Sequence, residues 1–302
     1  MIDGKLVRVI TQDGLELAGF YSPGKSDMVV LHFHGTSGDF YTHKFIDTEA
    51  IELQKQGIGF LTANNRGHDV YADIRKHVGD KVEWTQIGGG FEKFEDCILD
   101  ISAWLDFLTE QGINKVILQG HSLSQKNLYY QQIKKDSRVI GQIHLSPQND
   151  SGLMYYALGS EEFAKTDQLI QQKIEAGLTK EVLPAKLSPV SYVTSVQMYA
   201  GYLTQKGPGN LTPYHTPDDP QWQMLEDTTD PLLFVYGGED VYMKPSVDEA
   251  IAQIKRHAKS TKSLTVAKIA GAAHSYLDKE IELISAIQSW VTNLIESKGK
   301  KS

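Results

Sequence analysis

The chain has 302 residues, with 30 basic and 38 acidic side chains and one cysteine. Its length is ample for a large buried core, and hydrophobic and charged fractions of 40% and 23% exclude a disordered chain. The formal charge of −8 argues against nonspecific binding to nucleic acid or to an anionic membrane, and the lone Cys97 excludes a disulfide framework or a cysteine-rich zinc site.

No apolar run reaches the roughly 18 residues of a membrane span. The opening stretch, MIDGKLVRVITQDG, has no long apolar leader segment, so the expected location is the cytoplasm. Residues 5–10 and 15–21 read as a hairpin around Asp13-Gly14, a favoured tight-turn pair. Residues 28–33 (MVVLHF) read as a buried strand, and 44–56 as a helix that Gly57 stops. Residues 59–63 form the next strand. The spacing of Ile98, Ile101, Leu105 and Leu108 predicts a helix over 94–111. A short buried strand at 116–118 leads to a helix from Leu123, and another strand covers 139–145.

The rhythm of β-rich runs and longer amphipathic runs indicates a parallel sheet covered by helices. It breaks over 151–230, which holds helical stretches at 161–176 and roughly 188–203, a Pro/Gly-rich passage at 206–213 and no convincing buried strand. It resumes with a strand at 231–236, a helix at 246–257, a strand at 264–269 and a helix at 279–296; the polar tail 297–302 is expected to fray. No internal repeat interrupts this pattern. The simplest organisation is a sheet domain, residues 1–150 and 231–302, with a helical cap, residues 151–230, spliced into it. The cap carries ten acids against five lysines, which leaves −5 of the chain's −8. Such a cap disfavours polyanionic substrates and tolerates neutral or cationic ones.

The most informative segment is Gly120-His121-Ser122-Leu123-Ser124, which joins a strand to a helix. This is the context of a nucleophile elbow, in which a serine at the tip of a sharp turn projects its hydroxyl into a cleft. Ser124 stands where the G-x-S-x-G pattern has its second glycine. Serine needs a base, normally a histidine oriented by a carboxylate, and the chain order for this arrangement is Ser, acid, His. Asp240 follows the strand 231–236 and a Gly237-Gly238 turn, with Glu239 as a rival acid; His274 follows the strand 264–269 and a small-residue loop. All three lie just past the carboxyl ends of parallel strands, where ligands bind in such sheets. Two backbone N–H donors are needed for an oxyanion hole, and Leu123 and Thr36 are expected to supply them.

Other residues have blander readings. His32 and His34 form a His-x-His pair, but no further ligand is evident and metal binding is the weaker reading; His34 is expected to shape its loop. His121 reads as a packing residue, and Arg66 as a structural link between loops before an anion site. Residues 87–90 (IGGG) lack the G-K-[ST] ending of a phosphate loop. Cys97 falls within a helix and is not the expected nucleophile.

His34-Gly35, Gly120-His121-Ser122, Gly237-Gly238-Glu239-Asp240 and His274, in this order of elements, resemble the α/β-hydrolase superfamily. The resemblance covers the chain outside 151–230. Residues 32–45 (HFHGTSGDFYTHKF), 64–69 (NNRGHD) and 94–101 (FEDCILDI) are similar to a poorly characterised branch that includes fungal siderophore esterases and many bacterial hydrolases of unknown substrate. The resemblance implies a mostly parallel eight-stranded sheet flanked by helices, with a helical cap inserted after strand six.

The expected function is a serine hydrolase, a carboxylic ester hydrolase foremost, that cleaves an ester-like acyl bond of a small or medium-sized molecule through an acyl-enzyme on Ser122. Alternatives are an acyltransferase, cyclase or thioesterase with the same triad, and, less favoured, a non-catalytic binding protein. No cofactor, metal, nucleic acid or membrane partner is expected. The insertion carries Tyr155, Tyr156, Tyr192, Tyr199, Tyr202, Tyr214 and Trp222, whose first reading is packing. Tyr41, Tyr156, Tyr199 and Tyr242 are the candidate substrate contacts.

Overall fold

β1 (Lys5–Ile10) and β2 (Glu16–Ser22) pair antiparallel, with Lys5 opposite Tyr21 and Ile10 opposite Glu16. The computed structural model describes residues 2–188 and 193–299. β3 (Met28–Phe33) is buried along its whole length and runs out toward α1 (Lys44–Lys55). α1 ends at Gly57, where the Gly57 N–H donates to Gln54 O at 2.9 Å and the Ile58 N–H to Leu53 O at 3.0 Å. Gly57 takes φ +75, a conformation in which a side chain would be strained. α1 is followed by β4 (Gly59–Ala63), again fully buried.

Next comes a hairpin that the sequence reading lacks, β5 (Ala72–Val78) and β6 (Lys81–Ile87), paired antiparallel around Gly79. β6 is mostly exposed, β5 is a mixture of exposed and half-buried residues, and both carry charges at many positions, so the apolar alternation that marks a half-buried strand is missing. A 3-10 turn at Phe94–Asp96 then opens α2 (Cys97–Glu110). β7 (Lys115–His121), α3 (Gln125–Lys134) and β8 (Val139–Leu145) follow.

Between β8 and β9, the described residues form α4 (Asp150–Leu158), α5 (Ser160–Glu175), α6 (Val196–Tyr202) and α7 (Gln223–Glu226). The helix read over roughly 188–203 is shorter than expected and begins at Val196. Ser188 precedes Pro189 and is extended, at φ −109 and ψ 121, as the clash between a proline ring and the preceding residue demands. Tyr192 lies outside the described residues. The chain closes with β9 (Leu232–Gly237), α8 (Val247–His257), β10 (Leu264–Ile269) and α9 (Glu280–Gly299). Ser246 caps α8 by accepting the Glu249 N–H at 3.2 Å while donating its hydroxyl to the Glu249 carboxylate at 2.6 Å.

The main sheet has eight strands in the order β1-β2-β4-β3-β7-β8-β9-β10. β2 is antiparallel to both neighbours, and β4, β3, β7, β8, β9 and β10 run parallel. Buried on both faces, the central strands are near-continuous apolar runs, which is why they are legible in sequence. On one face, Phe45 and Leu53 of α1 and Ile284 and Trp290 of α9 pack on Val30, Ile117 and Val235. On the other, Trp104 and Leu105 of α2 pack on Val29, Leu31 and Val116, while α3, α8 and the segment between β8 and β9 share a cluster around Phe234. Within that cluster Tyr199, Tyr202, Tyr214 and Trp222 are all buried. No helix among the described residues is long and apolar enough to cross a membrane.

Arg66 links three parts of this frame. Its guanidinium donates to Asp13 in the β1–β2 turn at 3.1 Å, to Asp96 at 3.1 Å and to the buried Asp100 of α2 at 2.9 Å. Burial alone would raise the Asp13 carboxyl, but the Arg66 and Thr11 hydrogen bonds hold it below its usual value. Arg66 is therefore consumed structurally.

Glu49 of α1 is fully buried, with Oε2 accepting from Gln119 Nε2 at 2.8 Å. Burial pushes its carboxyl up to about 8, against which the Gln119 hydrogen bond acts only weakly. A raised folded-state value means that the unfolded chain loses this proton first as pH rises. This contribution to stability is therefore fully present below pH 4.5 and is lost as pH rises through about 8. Glu49→Gln should flatten the decline in melting temperature between pH 5 and pH 8, as measured by thermal unfolding across that range; a parallel decline in both proteins would contradict the assignment.

Candidate functional site

Ser122 leaves β7 at φ +62, a left-handed conformation that costs a non-glycine residue about 1–3 kcal/mol. Two backbone hydrogen bonds hold it there. Its N–H donates to Leu145 O at 2.8 Å, and its carbonyl accepts the Gln148 N–H at 3.1 Å. Gly120 makes the turn sterically feasible, since a Cβ there would lie 2.7 Å from Ser124 Cα. Ser124 itself sits at φ −65 and ψ −11, an ordinary helical conformation. The second small position of the elbow therefore requires small size and no unusual dihedral, and serine satisfies it.

The loop after β3 closes onto Ser122. A Cβ on Gly35 would meet Ser122 Cβ at 2.7 Å, so only glycine permits this approach. His34 shapes the loop. It accepts the Asn65 N–H on Nε2 at 3.3 Å and donates from Nδ1 to Gly35 O at 2.8 Å, which turns that carbonyl away. Burial lowers His34 to about 3, so the ring stays neutral in this one tautomer. Among the described residues, no protein acceptor takes the N–H of Thr36 or of Leu123.

The acid turn and the histidine loop are stitched together. Gly238 N donates to Ile269 O at 2.8 Å and Glu239 N to Ala272 O at 2.9 Å. His274 Nδ1 donates to Asp240 Oδ2 at 2.7 Å, while Glu239 points to solvent. Asp240 Oδ1 accepts the Tyr242 N–H at 3.0 Å, so both carboxylate oxygens are engaged. His121 Nε2 donates to the His274 carbonyl at 2.8 Å, which fixes the loop from below. Tyr276, two residues on, is fully buried; its hydroxyl donates to Val235 O at 2.8 Å and accepts the Ser146 N–H at 3.0 Å.

These groups meet at a cavity of about 170 Å³ lined by Gly35, Thr36, Ser122, His274 and Tyr242, among others. Ser122, Asp240 and His274 thus converge from three strand ends. The Ser122 hydroxyl donates to Gln148 Oε1 at 3.3 Å, its one hydrogen-bond partner among the described residues. Of the four expected tyrosine contacts, Tyr242 lines the cavity, with its ring 5.2 Å from that of His274. Tyr41 and Tyr156 are exposed and do not line it, and Tyr199 is buried in the core.

Residues 86–296 match the family described as "Protein of unknown function (DUF1749)". The chain belongs to that family. No curated protein matches it. This DUF1749 chain is similar to the siderophore hydrolase EstB from Aspergillus fumigatus, at 15% identity and a TM-score of 0.66, over 97% of this chain and 98% of that one. It is similar to DcsB, solved with a substrate analogue, at 14% identity and a TM-score of 0.66, over 96% and 99% of the two chains. Est1E from Butyrivibrio proteoclasticus, solved with ferulic acid, shows 16% identity and a TM-score of 0.64 over 95% and 99%. The fold of the DUF1749 chain is the α/β-hydrolase fold.

His32 and His34 have separate surroundings: the His32 ring meets Gln119 Nε2 at 3.0 Å within the sheet, while His34 holds the Gly35 loop. No three His, Cys, Asp or Glu side chains among the described residues are grouped to hold a metal ion. Burial raises the Cys97 thiol far above its usual value, so it is not a nucleophile. The sequence reading did not single out Gln148, Asp150 or His43, all at the cavity. Gln148 and Asp150 lie just past the end of β8, and the strand-end rule applied there would have found them.

Gly120→Ala forces a Cβ against the Ser124 backbone and should lower the unfolding free energy by about 1–3 kcal/mol, measured by denaturant titration. An unchanged midpoint would show that the elbow has room to spare.

Proposed function

We propose that this protein is a serine hydrolase that cleaves ester-like bonds of small acyl compounds through an acyl-enzyme on Ser122. The observation that supports this best is the convergence of Ser122, Thr36 and His274, itself hydrogen-bonded to Asp240, at one cavity, with no protein acceptor among the described residues for the N–H groups of Thr36 and of Leu123. Because Asp240 accepts the Nδ1 proton, neutral His274 presents a lone pair on Nε2. For attack, the Ser122 hydroxyl leaves Gln148 and gives its proton to that nitrogen; such hydrogen bonds commonly tighten only when substrate is bound. The serine oxygen attacks the carbonyl carbon, and the Thr36 and Leu123 N–H groups receive the developing oxyanion. His274 then protonates the leaving group and activates water to release the acid, with Asp240 stabilising its charged form throughout.

Residues 151–230 act as a cap in this reading, since Met198 and Leu203 contribute to the cavity wall. A space of about 170 Å³ is close to the roughly 150 Å³ known to hold benzene, which points to a short acyl group. The single buried Cys97 has no need of an oxidising compartment, in keeping with action in the cytoplasm.

Ser122→Ala should reduce turnover of short p-nitrophenyl esters by about four to six orders of magnitude while thermal unfolding shows the fold intact. A fluorophosphonate probe should label the unaltered chain and not the variant. Full esterase activity in Ser122→Ala would overturn the assignment.

A further inference from the structure

The cavity contains a carboxylate for which the acyl-transfer scheme has no use. Asp150 opens α4 and lines the same space as Ser122, His274 and Tyr242, with only 9% of its surface exposed. Its Oδ1 accepts from Gln148 Nε2 at 2.8 Å. Its Oδ2 is buried with no hydrogen-bond partner among the described residues. The one buried lysine in this region, Lys126, is committed elsewhere, donating to Glu92 at 2.8 Å and to Asn65 at 3.2 Å. A buried carboxylate oxygen left bare is costly, and at the wall of a cavity a ligand is one group that can complete it.

The surroundings indicate the chemistry of that ligand. Met198, Leu203 and Tyr242 lend apolar wall to the cavity, which strengthens any charge pairing within it. Burial raises the Asp150 carboxyl to about 6, and a cation in contact would favour its ionised form. An ionised carboxylate with one bare oxygen calls for a cation that also donates N–H bonds. The net −5 of residues 151–230 favours approach of the same charge.

We propose that Asp150 is a specificity-determining residue whose Oδ2 binds an ammonium group of the substrate, so that esters bearing a cationic amine are preferred over their neutral isosteres. The proposal rests on the serine hydrolase reading above. The ammonium belongs to the acyl or to the alcohol part of the ester; the recognition chemistry is the same, and two pairs of substrates separate the cases. The acyl pair is the p-nitrophenyl esters of alanine and of isobutyric acid. The alcohol pair is 2-(dimethylammonio)ethyl acetate, which keeps one N–H, and 3-methylbutyl acetate.

For each pair, the ratio of kcat/KM for the cation over that for the neutral isostere is measured in the unaltered chain and in Asp150→Asn, whose amide oxygen still accepts from Gln148. Within at least one pair the ratio should fall about tenfold or more in the variant, as loss of a charge-assisted hydrogen bond implies. The pair that responds locates the ammonium. Asp150→Glu, which keeps the charge, should retain more of the preference. Asp150→Ser carries the same expectation as Asp150→Asn should the latter fail to fold. A purely structural role, or a role in stabilising charged His274, would scale both members of a pair alike. Ratios within about twofold of the unaltered chain in both pairs would overturn the proposal. Fluorophosphonate labelling of Ser122 separates the two levels. Labelling with unmoved ratios removes the Asp150 subsite alone, whereas no labelling and no ester turnover removes the hydrolase reading and the subsite with it.

Discussion

The left-handed backbone at Ser122 is the constraint on which the rest of the site depends. A serine at φ +62 is strained, and it persists because surrounding contacts leave it no alternative. Gly35 presses on one side, Gly120 makes room behind, and the Ser122 peptide groups are tied to Leu145 and Gln148. The last of these ties has a second consequence. Because Gln148 is hydrogen-bonded through its backbone to Ser122, the chain leaving β8 must pass directly beside the hydroxyl. Gln148 and Asp150 reach the cavity by the same constraint that fixes the elbow.

The histidine side of the cavity is held by a different device. The small residues of the loop after β10 cannot pack it rigidly, so buried polar groups position it. Tyr276 bonds to β9 and to the exit of β8, and His121 bonds to the His274 carbonyl. Burial lowers His121 well below its ordinary value, as it does His34. Neutral rings with one defined tautomer act as directional struts, which a charged imidazolium with two donors would not. His34 accepts one N–H and donates to one carbonyl, and that pairing sets the orientation of the Gly35 peptide.

How legible all this was in sequence follows from the physics of each element. The buried parallel strands announce themselves as continuous apolar runs, and α1 ends where Gly57 predicts because the left-handed cap there needs glycine. The placement of Ser122, Asp240 and His274 just past strand ends follows from the topology that those runs imply. The β5–β6 hairpin was invisible because its faces are largely solvated and carry no apolar alternation. The tyrosines were misleading for the opposite reason. An aromatic ring in sequence does not declare whether it faces a cavity or a core: of the four candidate contacts, Tyr199 lies in the core and Tyr242 lines the cavity. Gln148 and Asp150 fall at the junction between sheet and insertion, where neither strand nor helix periodicity marks which side chains turn inward.

The charges at the cavity bear on the chemistry together. Asp240 is matched by His274, and nearby Glu92 by Lys126, so among the described residues Asp150 is the carboxylate lining the cavity that has no counterion in contact. A negative charge beside a carbonyl about to become an oxyanion opposes the reaction, and the opposition grows in an apolar enclosure. A cationic group on the substrate removes that opposition as it binds, before the oxyanion forms. A neutral isostere leaves it in place. Under the proposed scheme, the same residue therefore lowers the barrier for one class of ester and raises it for the other. Such a group discriminates at the transition state and not only in ground-state binding, which is where selectivity appears as a difference in kcat/KM.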